Sequence, residues 1–223
     1  MDLKEIRDEL ADLVSGRLAV ADGVIPPLVF VGANAVWDLI PAAFTGVGSA
    51  IAITLWRLSR GKRLRFAVAG LAGTLLAVAL ALRTGSADDY FVPGIIIGAV
   101  TTVGMVLSIV ARRPFVAWAS WVARGWPLEW YWHPQVRPAY TRVTWLWLVF
   151  FGARTLIQAA LYRAGSTEML GLARVLLGWP ALLVLLVATY VLGRRWLVVL
   201  GGPSVSEFEE GSPGPWLGQP KGF

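Results

Sequence analysis

The chain has 223 residues, 57% of them hydrophobic and only 15% charged, with a formal net charge of +6. Soluble domains carry about a quarter charged residues, so this composition, with a mean hydropathy of +0.63, excludes an ordinary soluble domain. The lack of cysteine excludes disulfide scaffolds, zinc knuckles and thiol nucleophiles.

In chain order, residues 1–23 place Leu3, Ile6, Leu10 and Leu13 on one face and acids elsewhere, which predicts a cytoplasmic amphipathic helix. Six acids precede the first apolar run, unlike the basic start of a secretory signal. Repeated apolar runs of roughly 20 residues then predict an all-α, polytopic membrane bundle. The stretch 24–58 is too long for one span and is broken by Asp38 and Pro41. It divides into spans 24–40 and 42–57, with Pro26 and Pro27 at the first helix start, where a missing N–H costs little. Span three is 66–82, lined by Gly70, Gly73 and Ala77. An outer loop, "RTGSADDYFVPG", follows, in which Asp88 and Asp89 cap the next helix or face solvent. Span four, 91–111, carries the small-residue pair Gly94 and Gly98 for close helix packing.

The segment between spans four and five holds Trp118, Trp121, Trp126, Trp130 and Trp132. Amphipathic rings settle at the headgroup level, so these five are expected to anchor an interfacial segment. His133, the only histidine, has no companion ligands and reads as a polar loop residue. Span five is 140–162 and span six 170–192, with Pro180 as a kink. Residues 24–197 thus form a six-span domain. The tail 198–223 is expected to be disordered, because ten of its last 23 residues are Gly or Pro.

Basic residues test this threading. With both termini in the cytoplasm of a bacterial inner membrane, sixteen of the twenty Lys and Arg fall inside and only Arg83 and Arg163 outside, as the positive-inside rule requires. The basic pI near 10.2 therefore reflects membrane orientation and predicts no nucleic-acid partner.

Phosphate-loop, dinucleotide, zincin and nucleophile-elbow motifs are all missing, so no enzyme activity, cofactor or metal is expected. Intramembrane polar residues are the remaining pointer, since a central Arg costs about 2.5–3.5 kcal/mol on insertion scales. Asn34 and Asp38 share a face of span one, Arg154 and Gln158 share one of span five, and Arg174 lies on the Gly171–Gly178 stripe of span six. The threading puts all five in the outer half of the bilayer. Either Asp38 pairs with one arginine and fastens the spans, or Arg154 snorkels to the headgroups, or two arginines against one carboxylate hold an anionic lipid or small anion.

The runs "ALRTGSADDYFVPGIIIGA", "ARRPFVAW", "RPAYTRVTWLWLVFFGARTLIQAALY" and "LGLARVLLGWP" resemble the actinobacterial membrane family called domain of unknown function 3159, over about residues 20–197. The resemblance implies a multi-pass membrane protein without an assigned activity. "PPLVFVG", "RRPFV" and "WLVFFGA" are more distantly similar to intracellular septation protein A. That similarity implies a non-enzymatic role in the cell envelope or division, with membrane or division proteins as partners. The alternative is a small transporter or anionic-lipid binder.

Overall fold

The computed structural model describes residues 17–59, 64–220 and 222–223, and every regular element among them is helical. The helices are α1 (Arg17–Val36), α2 (Leu39–Ser59), α3 (Leu64–Thr84), α4 (Val92–Val110), α5 (Phe115–Arg124), α6 (Leu128–Trp132), α7 (Arg137–Arg163), α8 (Thr167–Leu176), α9 (Trp179–Leu200) and α10 (Val205–Glu209), with a 3₁₀ turn at Ala87–Phe91. Of the amphipathic helix expected over residues 1–23, residues 1–16 lie outside the described residues and 17–23 belong to α1.

Among the described residues, four stretches are long and apolar enough to cross a membrane: Leu39–Trp56, Ala87–Val110, Arg137–Arg163 and Thr167–Leu200. Ile25–Val36 and Gly70–Thr84 are apolar but shorter. Large apolar side chains stay exposed along these helices, among them Phe44, Ile97, Val110, Leu156 and Val198. An apolar surface on this scale suits hydrocarbon and not water.

The element boundaries correct two expectations. Helix α1 begins at Arg17, so Pro26 and Pro27 lie inside it and not at its start. The expected kink at Pro180 is instead a break: α8 ends at Leu176, Leu177 and Gly178 form a turn, and Pro180 is the second residue of α9. A proline there loses no intrahelical donor, because the first helical N–H groups have no partner within the helix.

The chain folds as two compact units. One comprises the residues up to Ile97 together with Arg154–Leu182; the other comprises Gly98–Ala153 and Leu183–Phe223. In the first unit, α1 and α2 form a hairpin whose turn is Trp37 and Asp38. Phe30 is fully buried, and Gly46 lets α2 approach it: a Cβ there would stand 3.3 Å from Phe30 Cβ. The 3₁₀ turn drives Tyr90 and Phe91 into the same core, where Tyr90 stacks on Phe30 at 4.2 Å. Helix α8 closes it with Leu170, and Gly171 packs so tightly on Val31 that a Cβ would come within 2.8 Å of Val31 Cγ2.

In the second unit, Gly125 (φ 69°) ends α5, and α6 follows after Trp126 and Pro127. Hydroxyl acceptors fasten the start of α5 to α4 and α7. Ser108 Oγ accepts from Phe115 N at 3.1 Å, and Thr144 Oγ1 accepts from Val116 N at 3.3 Å. Trp147 Nε1 donates to Thr189 Oγ1 at 2.7 Å, tying α7 to α9.

The tail is ordered, contrary to the disorder its composition suggests. Glycine and proline content measures chain entropy, not the specific contacts that offset it. Ser204 and Glu207 form a reciprocal capping box on α10, and Glu207 also accepts from Leu217 N at 2.8 Å. His133 meets Trp216 edge-on at 5.3 Å and Phe208 at 6.3 Å. It is therefore part of the tail's docking surface and more than a polar loop residue.

This docking carries a pH dependence. The amide hydrogen bonds from Ser204 and Leu217 hold the Glu207 carboxyl below its ordinary value, and burial pushes the His133 imidazole below its own. Both depressed values mean that the folded tail binds fewer protons than the released tail. The contribution of His133 is present above its unfolded pKa of about 6.5, and that of Glu207 above about 4.3; each is lost as pH falls through the lower folded value. Trp216 fluorescence is expected to report two-stage loosening on acidification, with Glu207→Gln removing the lower stage. A signal flat from pH 7 to 3 contradicts the assignment.

Candidate functional site

Of the five polar residues singled out in the apolar spans, Arg154 and Arg174 come together. Both lie in the first unit, with Arg154 within electrostatic reach of the Arg174 guanidinium. The arrangement is built by the turn at Leu177–Gly178, which ends α8 just beyond Arg174, and by Gly94 near the start of α4. A Cβ at Gly94 would lie 2.6 Å from Arg174 Nη1. Gly94 thus leaves room for a guanidinium, where the sequence spacing suggests a small-residue helix contact. Tyr90 also faces Arg174 and lies against Thr74. No sequence pattern marks Tyr90 or Thr74, because their approach depends on the 3₁₀ turn before α4.

Asp38 does not neutralise either arginine. It is exposed in the α1–α2 turn, and its carboxylate accepts from Leu39 N at 2.9 Å, capping the helix that follows it. The physical reason lies in the boundary. Placed after the last residue of α1 and immediately before α2, the short side chain satisfies an otherwise unpaired N–H of α2. Asn34 is half-buried in the last turn of α1, next to the core residue Ala33. Gln158 is 5% exposed, one turn beyond Arg154 on α7.

The two acids of the outer loop have partners the sequence leaves undecided. Tyr162 Oη donates to Asp89 Oδ1 at 2.5 Å, and Thr167 Oγ1 donates to Asp88 Oδ1 at 2.5 Å. Together they clamp the α7–α8 turn onto the 3₁₀ turn. Each of these carboxylates accepts from a hydroxyl donor. Two guanidinium charges in a poorly solvated place repel each other, and an anion accepting from both removes that penalty.

An apolar groove of about 450 Å³ also opens in the first unit, lined by Leu76, Leu80, Arg83, Val92, Pro93 and Ile96.

The five tryptophans divide. Trp118 and Trp121 are exposed at 40% and 38%, while Trp126 and Trp132 are half-buried. Trp130 is fully buried, and its Nε1 donates to Pro203 O at 2.9 Å. It is a core residue and not an interfacial anchor. The α6 turn points it at Tyr140, 6.1 Å between ring centroids, where a buried indole finds the carbonyl it needs. Trp132 carries the Arg113 guanidinium on its face at 4.4 Å.

A protein-family model described as "Protein of unknown function (DUF3159)" matches residues 14–198. No curated protein and no solved structure matches the chain.

Proposed function

The chain belongs to the family of unknown function DUF3159, and on that premise we propose that it is a multi-pass membrane protein that binds an anionic group between Arg154 and Arg174. The ligand class is a lipid phosphate or a small carboxylate or phosphate. The observation that carries this reading is the guanidinium pair left without Asp38, whose carboxylate caps α2. A site of this kind acts by binding or by passing an anion and calls for no catalytic group. The septation-like envelope role has no residue-level observation of its own and ranks second.

The full threading belongs to the same proposal: six spans in a bacterial inner membrane, with both termini cytoplasmic. It is supported by what each unit gathers. In the first, the α1–α2 turn, the 3₁₀ turn and the α7–α8 turn share one core or clamp; the threading puts all three outside. In the second, the α5–α6 segment and the tail meet; the threading puts both inside. Trp118 and Trp121 then lie at the inner headgroup level.

The test uses full-length protein in detergent, titrated with phosphate and with micelles containing anionic or zwitterionic phospholipid. Hydrogen bonds to charged groups contribute about 1.5–3 kcal/mol each. Arg154→Met and Arg174→Met are therefore each expected to weaken anion binding by roughly ten- to a hundredfold while the protein still inserts. Inorganic phosphate alone restoring the thermal shift identifies a free anion; only anionic lipid doing so identifies a headgroup. If the arginine variants are stabler and no anion shifts the native protein, the reading fails.

A further inference from the structure

The tail does more than cover the second unit: Phe223 occupies a formed seat. Its ring is 7% exposed and stacks on Tyr140 at 4.4 Å with planes 12° apart. On the opposite wall is Gly193, in the middle of α9, where a Cβ would lie 2.5 Å from three atoms of the Phe223 ring. Glycine within a helix costs about 1 kcal/mol relative to alanine. Here its missing side chain is the space the ring fills.

The backbone of the occupant is held as well as its ring. Arg124 Nε donates to Phe223 O at 2.8 Å, and its guanidinium covers Trp126 at 4.9 Å. Arg194 Nη2 donates to Pro220 O at 2.7 Å. Gly222 has φ 81°, which favours glycine before the aromatic, and a Cβ there would stand 2.7 Å from the Arg124 Nη1 tip. At the seat's floor the Tyr140 hydroxyl is buried with no hydrogen-bond partner, beside the Ser120–Tyr131 hydroxyl pair. One ring, two main-chain oxygens and one glycine of the occupant are read.

We infer that the cup formed by Arg124, Trp126, Tyr140, Gly193 and Arg194 is a peptide-recognition site for a Gly-aromatic segment, filled by the chain's own Pro220, Gly222 and Phe223. The tail is then an exchangeable occupant, and emptying the cup opens it to a peptide of the same chemistry supplied from outside. This inference does not depend on the arginine pair of the first unit.

The test measures binding of a labelled peptide, GQPKGF, to full-length protein in detergent. Native protein is expected to bind weakly, because the tail competes. Phe223→Ala vacates the cup and is expected to bind at least tenfold more tightly. Adding Gly193→Ala to Phe223→Ala blocks the ring and abolishes binding, as does a peptide with Ala in place of its Gly. If the Gly193 variant loses helicity, Phe223→Ala with Arg124→Gln takes its place, with binding expected to fall about tenfold. Hydrogen exchange supplies a second readout: amides of 204–220 lose protection in Phe223→Ala, while those of α4 do not. The inference is overturned if Phe223→Ala binds no more peptide than the native chain, or if the Gly193 double variant binds equally well. Native protein that exchanges tails only between two copies, seen as a dimer that Phe223→Ala dissolves, also overturns it.

Discussion

Trp130→Ala is expected to destabilise the second unit by about 3–5 kcal/mol, the usual loss when a buried large aromatic is truncated. The ring is fully buried and packs edge-on against Trp126 at 5.3 Å and Tyr131 at 5.1 Å. Its removal leaves a cavity and also leaves the buried Pro203 carbonyl without the donor it has at 2.9 Å. An unsatisfied buried acceptor adds about 1–3 kcal/mol to the transfer and cavity terms. Because Pro203 begins the tail, the same substitution is expected to release residues 204–220 to exchange. Trp118→Ala is the control: that side chain is 40% exposed, and its loss belongs with ordinary surface changes, within about 0.5 kcal/mol. Thermal unfolding of both variants in one detergent decides the matter. Equal shifts mean that Trp130 is not the core residue described.

Gly178→Ala is the second large effect. A Cβ at this position would sit 2.5 Å from the Arg174 carbonyl oxygen and 3.2 Å from that of Val175. The obstacle is backbone, so no side-chain rotation relieves it, and the turn between α8 and α9 must open. Overpacking of a fixed site costs about 1–3 kcal/mol or more. The displacement acts on the backbone of Arg174 itself, so anion binding is expected to fall with stability, although no ligand contact has been removed. Gly73→Ala offers the contrast, since its Cβ would meet nothing within 4 Å and alanine is the better helix former. If Gly178→Ala matches Gly73→Ala in melting temperature, the turn is not constrained as described.

The sequence makes the helices legible because a span of apolar residues has one economical conformation in hydrocarbon, with every backbone group paired within the segment. The Asp38 turn, a distinct Trp-rich segment between the spans, and the unusual cost of Arg154 and Arg174 all follow from local composition. What local composition cannot reveal is choice of partner. Asp38 satisfies its own helix start, so the carboxylate that sequence logic pairs with an arginine caps α2 instead. Tyr90, Gly94 and Thr74 gather around Arg174 only because a 3₁₀ turn reorients the chain, and nothing periodic announces that turn. Trp130 belongs to an interfacial-looking run, yet the α6 turn sends it inward. In the tail, composition records the flexibility of Gly and Pro but not Phe223 meeting a glycine thirty positions earlier on α9.

The first unit is discontinuous in sequence: residues up to Ile97 need Arg154–Leu182 for completion. Phe30 and Tyr90 remain without Leu170, and Val31 without Gly171, until the ribosome has made the whole intervening stretch. At about 5–20 residues per second, that delay is on the order of ten seconds. During biogenesis the first three helices therefore wait in a partly assembled form whose unfilled face is available to membrane chaperones or quality-control proteases. Truncations after residue 97 would hold the chain in that state permanently.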